Sequence, residues 1–136
     1  MRLLNTRTGE FQWFENPREV RYAILSHVWS TDLRKPEQSF ETTHGILKAH
    51  SSSDTSPALA QYAEKIQRVC KVALKDGFEF VWVDSSCIDK SSSAELSEAI
   101  NSMYEWYGLA DVCYAFLSDV PEDDDVYAAD SSFRRS

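Results

Sequence analysis

Phe78-Glu79-Phe80-Val81-Trp82-Val83 leads directly into Asp84-Ser85-Ser86. The apolar part is a dense run of aromatic and β-branched residues, the composition of a strand covered on both faces. Its abrupt end at Asp84 puts polar groups at the carboxyl end of that strand. Working outward, residues 57–76 carry Leu59, Tyr62, Ala63, Ile66, Val69, Cys70 and Ala73 at three- and four-residue intervals, an apolar helical stripe. Ser56 and Pro57 supply a start signal for that helix, and Gly77 a stop. On the other side, Ser92 and Glu95 have capping-box spacing, and residues 93–110 carry a second stripe through Leu96, Ala99, Ile100, Met103, Trp106, Tyr107 and Ala110.

Two further strands flank these helices. Residues 21–27 hold the apolar run Tyr22-Ala23-Ile24-Leu25 and end on Ser26-His27; residues 112–118 run from Val112 to Leu117 and close on Ser118-Asp119. With strand boundaries of about 79–84 for the middle one, the order is strand, helix, strand, helix, strand. Crossovers of that length require parallel pairing and right-handed connections. The expectation is an α/β domain with a flavodoxin-like parallel sheet, in which ligands bind outside the carboxyl ends of the strands where strand order reverses. Before the first strand, residues 2–14 read as an extended or hairpin-like lead-in turning at Thr8-Gly9. Residues 30–57 read as a long polar loop containing Pro36, Gly45 and a Ser-rich run. After Asp119 comes an acidic tail, with Glu122, Asp123, Asp124 and Asp125 read as a solvated loop. Three strands leave an open edge, so one domain over residues 1–136, cut before its next helix, is expected.

Composition narrows the function. The 136 residues carry a formal net charge of −8, and the basic residues are scattered, which argues against a phosphate-backbone partner and so against nucleic acid. No stretch approaches the apolar length of a membrane span, and the N-terminus lacks the apolar core of a signal peptide, so a cytoplasmic location is expected. Cys70, Cys87 and Cys113 form no CxxC pair and suit a reducing compartment. His27, His44, His50 and Cys87 lack the close paired spacings of structural zinc sites, so no metal is expected.

The strand ends hold the candidate site: Ser26, His27, Asp84, Ser118 and Asp119. Asp and Ser at such positions also cap loops without any ligand, whereas a histidine directly after an apolar strand sits at a rim. A Ser26-His27-Asp84 hydrolase triad fails on geometry, because adjacent strand residues point to opposite faces and no G-x-S-x-G elbow is present. Cys87, in the loop before the second helix, lacks a fixed basic partner; Cys70 and Cys113 fall on core-facing positions. Glu95 and Glu98 favour the first turns of a helix through its dipole alone. Trp106 and Tyr107 read as packing, and Trp29 is expected nearer the surface.

Three ordered blocks carry a resemblance. Tyr22-Ala23-Ile24-Leu25-Ser26-His27-Val28-Trp29, then Val81-Trp82-Val83-Asp84-Ser85-Ser86-Cys87-Ile88-Asp89-Lys90, then Ala94-Glu95-Leu96-Ser97-Glu98-Ala99-Ile100-Asn101-Ser102-Met103-Tyr104 resemble successive blocks of the fungal heterokaryon-incompatibility (HET) domain. The family often has another Cys where this chain has Ser86, and the loop from Ser30 to Pro57 is divergent and Ser-rich. The resemblance implies a death-effector signalling module in fungal non-self recognition, activated by clustering through self-association and other domains of a larger protein. HET domains in turn resemble TIR domains, flavodoxin-like modules of which many assemble like with like and some cleave NAD at the nicotinamide bond. By that second resemblance NAD would be a candidate substrate, Ser26, His27 and Trp29 would border its pocket, and the loop from Ser85 to Ser93, with Asp89 in it, would be the mobile one beside it. The catalytic Glu of such enzymes is expected on a later helix, beyond residue 136. The alternatives implied are therefore an NAD glycohydrolase and a non-catalytic interaction adaptor.

Overall fold

The computed structural model describes residues 1–50, 55–121 and 131–135. Its elements are β1 (Arg2–Asn5), β2 (Phe11–Trp13), β3 (Tyr22–His27), α1 (Phe40–Ala49), α2 (Glu64–Lys75), β4 (Phe80–Trp82), α3 (Asp84–Cys87), α4 (Ser93–Leu109) and β5 (Val112–Phe116), with 3-10 turns at Pro17–Glu19, Ala58–Gln61 and Ser132–Arg135. One mixed five-stranded sheet has the order β2-β1-β4-β3-β5. The parallel part is β4-β3-β5, with Ala23 opposite both Val81 and Val112. The lead-in is an antiparallel hairpin whose β1 pairs with β4 through Leu4 and Val81.

The core follows from the two apolar runs and the two stripes. Tyr22, Ala23, Ile24 and Leu25 of β3 and Phe80, Val81 and Trp82 of β4 are all buried, as strands covered on both faces must be. Ile66, Val69, Cys70 and Ala73 of α2 close one face, and Ala99 and Trp106 of α4 the other, with Trp82 meeting Trp106 edge to face at 5.7 Å between centroids. The buried Tyr22 hydroxyl donates to the Trp106 carbonyl at 2.6 Å, which ties β3 to the end of α4.

Several expectations change. The helix anticipated from residue 57 starts only at Glu64. Residues 58–61 form a separate 3-10 turn, which lets Leu59 N donate to Thr8 O and drops Tyr62 onto the hairpin turn, its hydroxyl donating to Gly9 O at 2.6 Å. An uninterrupted helix would swing Tyr62 away from that contact. The polar loop 30–57 contains α1, capped by Ser39, whose hydroxyl accepts from Thr42 N. Its Thr-Thr-His-Gly sequence hides the stripe made by Phe40, Thr43, Ile46 and Leu47. Asp84 opens a helical turn, so β4 ends at Trp82, and β5 ends at Phe116. Cys113 is exposed, because β5 is an edge strand and α4 does not extend over that side of it. The Ser92 cap forms, its hydroxyl accepting from Glu95 N at 3.3 Å, but the Glu95 carboxylate turns to Arg2 and does not return to the cap. The acidic run 122–125 lies outside the described residues.

Candidate functional site

The carboxyl ends of β3 and β4 deliver His27 and Asp84 to one place. The His27 imidazole is 1% exposed, and its Nε2 stands 2.7 Å from Asp84 Oδ1. Its Nδ1 is 3.1 Å from the Lys65 ammonium, on the first turn of α2. An ammonium has only hydrogens to give, so Nδ1 accepts and Nε2 carries the hydrogen donated to Asp84. Lys65 also donates to Val28 O at 3.2 Å and to Glu37 Oε2 at 2.7 Å, so all three of its hydrogens are engaged. Glu37, from the chain between β3 and α1, also accepts from Ser30 N at 2.9 Å and from the Ser85 hydroxyl at 3.4 Å.

A second shelf lies beside this cluster. The Trp29 indole N–H donates to Asp84 Oδ2 at 2.9 Å, so both oxygens of that carboxylate are held. The Lys90 ammonium sits 4.4 Å from the Trp29 ring centroid while donating to the carbonyls of Asp84 and Ser85. Burial pushes the Asp84 carboxyl up, but the hydrogen bonds from His27 and Trp29 and the nearby positive charge outweigh it and hold it below its ordinary value. Glu37 behaves alike: burial raises it, and Lys65 with Ser30 N brings it down further. Burial lowers the Lys90 ammonium.

Beyond the cluster opens a cleft of about 720 Å³, whose lining includes Trp29, Thr31, Lys35, Arg68, Phe116 and Ser118. That volume is in the range of small-molecule sites. It lies at the ends of β3 and β5, where strand order reverses. The arrangement can orient a histidine through a carboxylate, screen it with an ammonium, and present two aromatic surfaces and basic side chains to a ligand in the cleft.

The residues singled out from sequence separate into groups. His27, Trp29 and Asp84 meet. Ser118 lines the cleft, and exposed Asp119 follows it. Ser26 is exposed and lies on the other side of β3 toward the Tyr107 hydroxyl, so it is not presented to His27. Cys87 is 2% exposed, its thiol pushed to about 12 by burial. Asp89 accepts from Ser91 N and its hydroxyl, folding the loop before α4. Glu95 takes a bidentate pair from Arg2 at 2.5 and 3.1 Å and accepts from Asp89 N, clamping β1 to that loop. Glu98 borders the same region near Met1. Glu37, Lys65 and Lys90 escaped the sequence reading: Lys65 sits among the polar residues of α2 and Glu37 in a stretch without periodicity. Among the described residues no group of His, Cys, Asp and Glu is arranged to hold a metal, and no helix is long and apolar enough to cross a membrane.

These features define an α/β domain of the class that gathers its polar groups at the carboxyl edge of an open sheet. The chain belongs to the heterokaryon incompatibility (HET) family, whose profile, described as heterokaryon incompatibility protein, matches residues 22–136. It is 43% identical over 102 residues to vegetative incompatibility protein HET-E-1 of Podospora anserina, an alignment covering 75% of this chain and 7% of that protein. The chain thus spans a small part of the relative it matches. No solved structure matches the chain.

Proposed function

We propose that residues 1–136 form one unit, the signalling domain of a vegetative incompatibility protein, which triggers cell death when other domains bring copies together. The observation that carries this reading is the 43% identity to HET-E-1 across three quarters of the chain. The strand order β4-β3-β5 supports a flavodoxin-like arrangement of the kind TIR-like modules use. A cytoplasmic site of action accords with three free thiols among the described residues. The test is expression in a filamentous fungus of the chain fused to a chemically dimerised carrier. Death on adding the dimeriser supports the reading; survival with the fusion expressed and folded sinks it.

A second reading, cleavage of NAD at the nicotinamide bond, is favoured by the cleft, which places Trp29 and Phe116 beside the His27 cluster and has room for a nucleotide. Nicotinamide release by a clustered fusion extended past residue 136, where the resemblance expects the catalytic Glu, lost in His27→Ala with the fold retained, supports it. Death without NAD turnover leaves the domain a non-catalytic adaptor.

A further inference from the structure

The Lys65 ammonium gives its three hydrogens to unlike partners. His27 Nδ1 and Val28 O are neutral and fixed by β3 and the residue after it, whereas the third acceptor, Glu37 Oε2 at 2.7 Å, belongs to a side chain that lines the cleft. The other Glu37 oxygen stands 3.7 Å from His27 Nδ1. Only the place held by Glu37 can therefore be exchanged without moving the strand. The Lys65 and Glu37 side chains are 17% and 11% exposed, so leaving the ammonium without a third acceptor is costly. An entering oxyanion replaces the carboxylate like for like.

The charges around the cleft set its preference. Its lining holds Lys35, Lys65 and Arg68 against Asp32, Glu37 and Glu64. Asp32 is engaged by Arg34 at 3.2 Å and Glu64 lies 3.9 Å from Arg68, so Glu37 is the carboxylate that answers Lys65. Lys35 forms no ion pair among the described residues. With Glu37 in place the lining is balanced in sum. With Glu37 turned away, Lys35 and Lys65 leave the cleft positive within a chain that carries −8 overall. The same departure undoes a closure: Ser30 N donates to Glu37 Oε2 at 2.9 Å, and the Ser30 hydroxyl donates to Lys35 O, so the turn from 30 to 37 is pinned by the carboxylate that would leave.

We infer that Lys65 and Lys35 form an oxyanion subsite of the cleft and that Glu37 is its built-in competitor, so that a small ligand enters by exchanging its phosphate or carboxylate for the Glu37 carboxylate. The inference rests on the cleft being a ligand site, as in the second reading above. It adds the charge that the ligand carries and the contact that opens to admit it.

The test titrates the chain with inorganic pyrophosphate and, separately, with citrate, from about 10 µM to about 10 mM, the range of weak small-ligand affinities. Calorimetry reads affinity, and amide exchange by NMR reads the Ser30 N–H. The expected result is weak binding by the wild type and binding at least about tenfold tighter by Glu37→Gln, because a neutral amide holds an ammonium about half as strongly as a carboxylate does. The double variant Glu37→Gln with Lys65→Met should lose that gain. Binding of pyrophosphate alone assigns the subsite to phosphates, of citrate alone to carboxylates, and of both to oxyanions at large. In the wild type, saturating anion should speed Ser30 exchange at least about tenfold, as loss of its acceptor requires. That measurement decides the matter alone if Glu37→Gln loses the native circular dichroism. Three outcomes overturn the inference: no binding of either anion, binding that neither substitution alters, which marks an adventitious ion only, or binding with Ser30 still protected. Nicotinamide release by the extended fusion is scored apart. Turnover without anion binding refutes the subsite and leaves the enzyme reading, and anion binding without turnover does the reverse.

Discussion

Lys65→Met removes one ammonium and keeps most of its stem. It deletes the donors to His27 Nδ1, Val28 O and Glu37, and leaves the Glu37 carboxylate, 11% exposed, facing the apolar thioether. Breaking a buried pair from one side costs about 3–5 kcal/mol. Glu37 keeps Ser30 N and the Ser85 hydroxyl and touches the cleft, so we expect about 2–3 kcal/mol here. Glu37→Gln alone should cost less, about 1–2 kcal/mol, because a neutral amide can still accept from Lys65. The double variant should fall about 1 kcal/mol or more short of the sum, since the uncompensated carboxylate is gone. Urea unfolding followed by tryptophan fluorescence measures all three. The acid limb gives an independent check. Glu37 is held below its ordinary 4.5 in the folded state, so the unfolded chain binds the extra proton, and the stabilisation is full above about 4.5 and lost as pH falls through the lower folded value. Lys65→Met should flatten that slope. A cost below about 0.5 kcal/mol, or strict additivity with Glu37→Gln, would refute the view that the cluster is a coupled network.

Other substitutions test other parts of the fold. Ser86→Ala should be neutral or stabilising by up to about 1 kcal/mol in urea, because the Ser86 hydroxyl is fully buried without a hydrogen-bond partner among the described residues. Gly9→Ala should cost about 2–4 kcal/mol: φ is +79° and a Cβ would meet Leu59 N and the Tyr62 ring at 2.8 Å. Gly77→Ala, at φ +85° in open space, should cost only about 1 kcal/mol, so equal thermal shifts for the two would count against the hairpin docking. In dilute native protein a thiol reagent should titrate Cys113 quickly, and Cys70 and Cys87 only on unfolding; fast reaction of Cys87 would contradict its burial.

What could be read directly from the chain was local or periodic. The runs at Tyr22–Leu25 and Phe80–Val83 specify buried strands because two covered faces demand unbroken apolar residues, and the α4 stripe specifies its helix by period alone. The three blocks bearing His27, Asp84 and Glu95 are contiguous stretches, so the family they mark was legible without coordinates. Tertiary structure decided the rest. The break at residues 62–63 follows from Tyr62 docking on Gly9, 53 positions away, and Cys113 is exposed because β5 took the edge. Lys65 and Glu37 complete the His27–Asp84 pair from an amphipathic helix and an aperiodic loop. Where a polar side chain ends up depends on which elements pack beside it, and a short-range pattern carries no record of that.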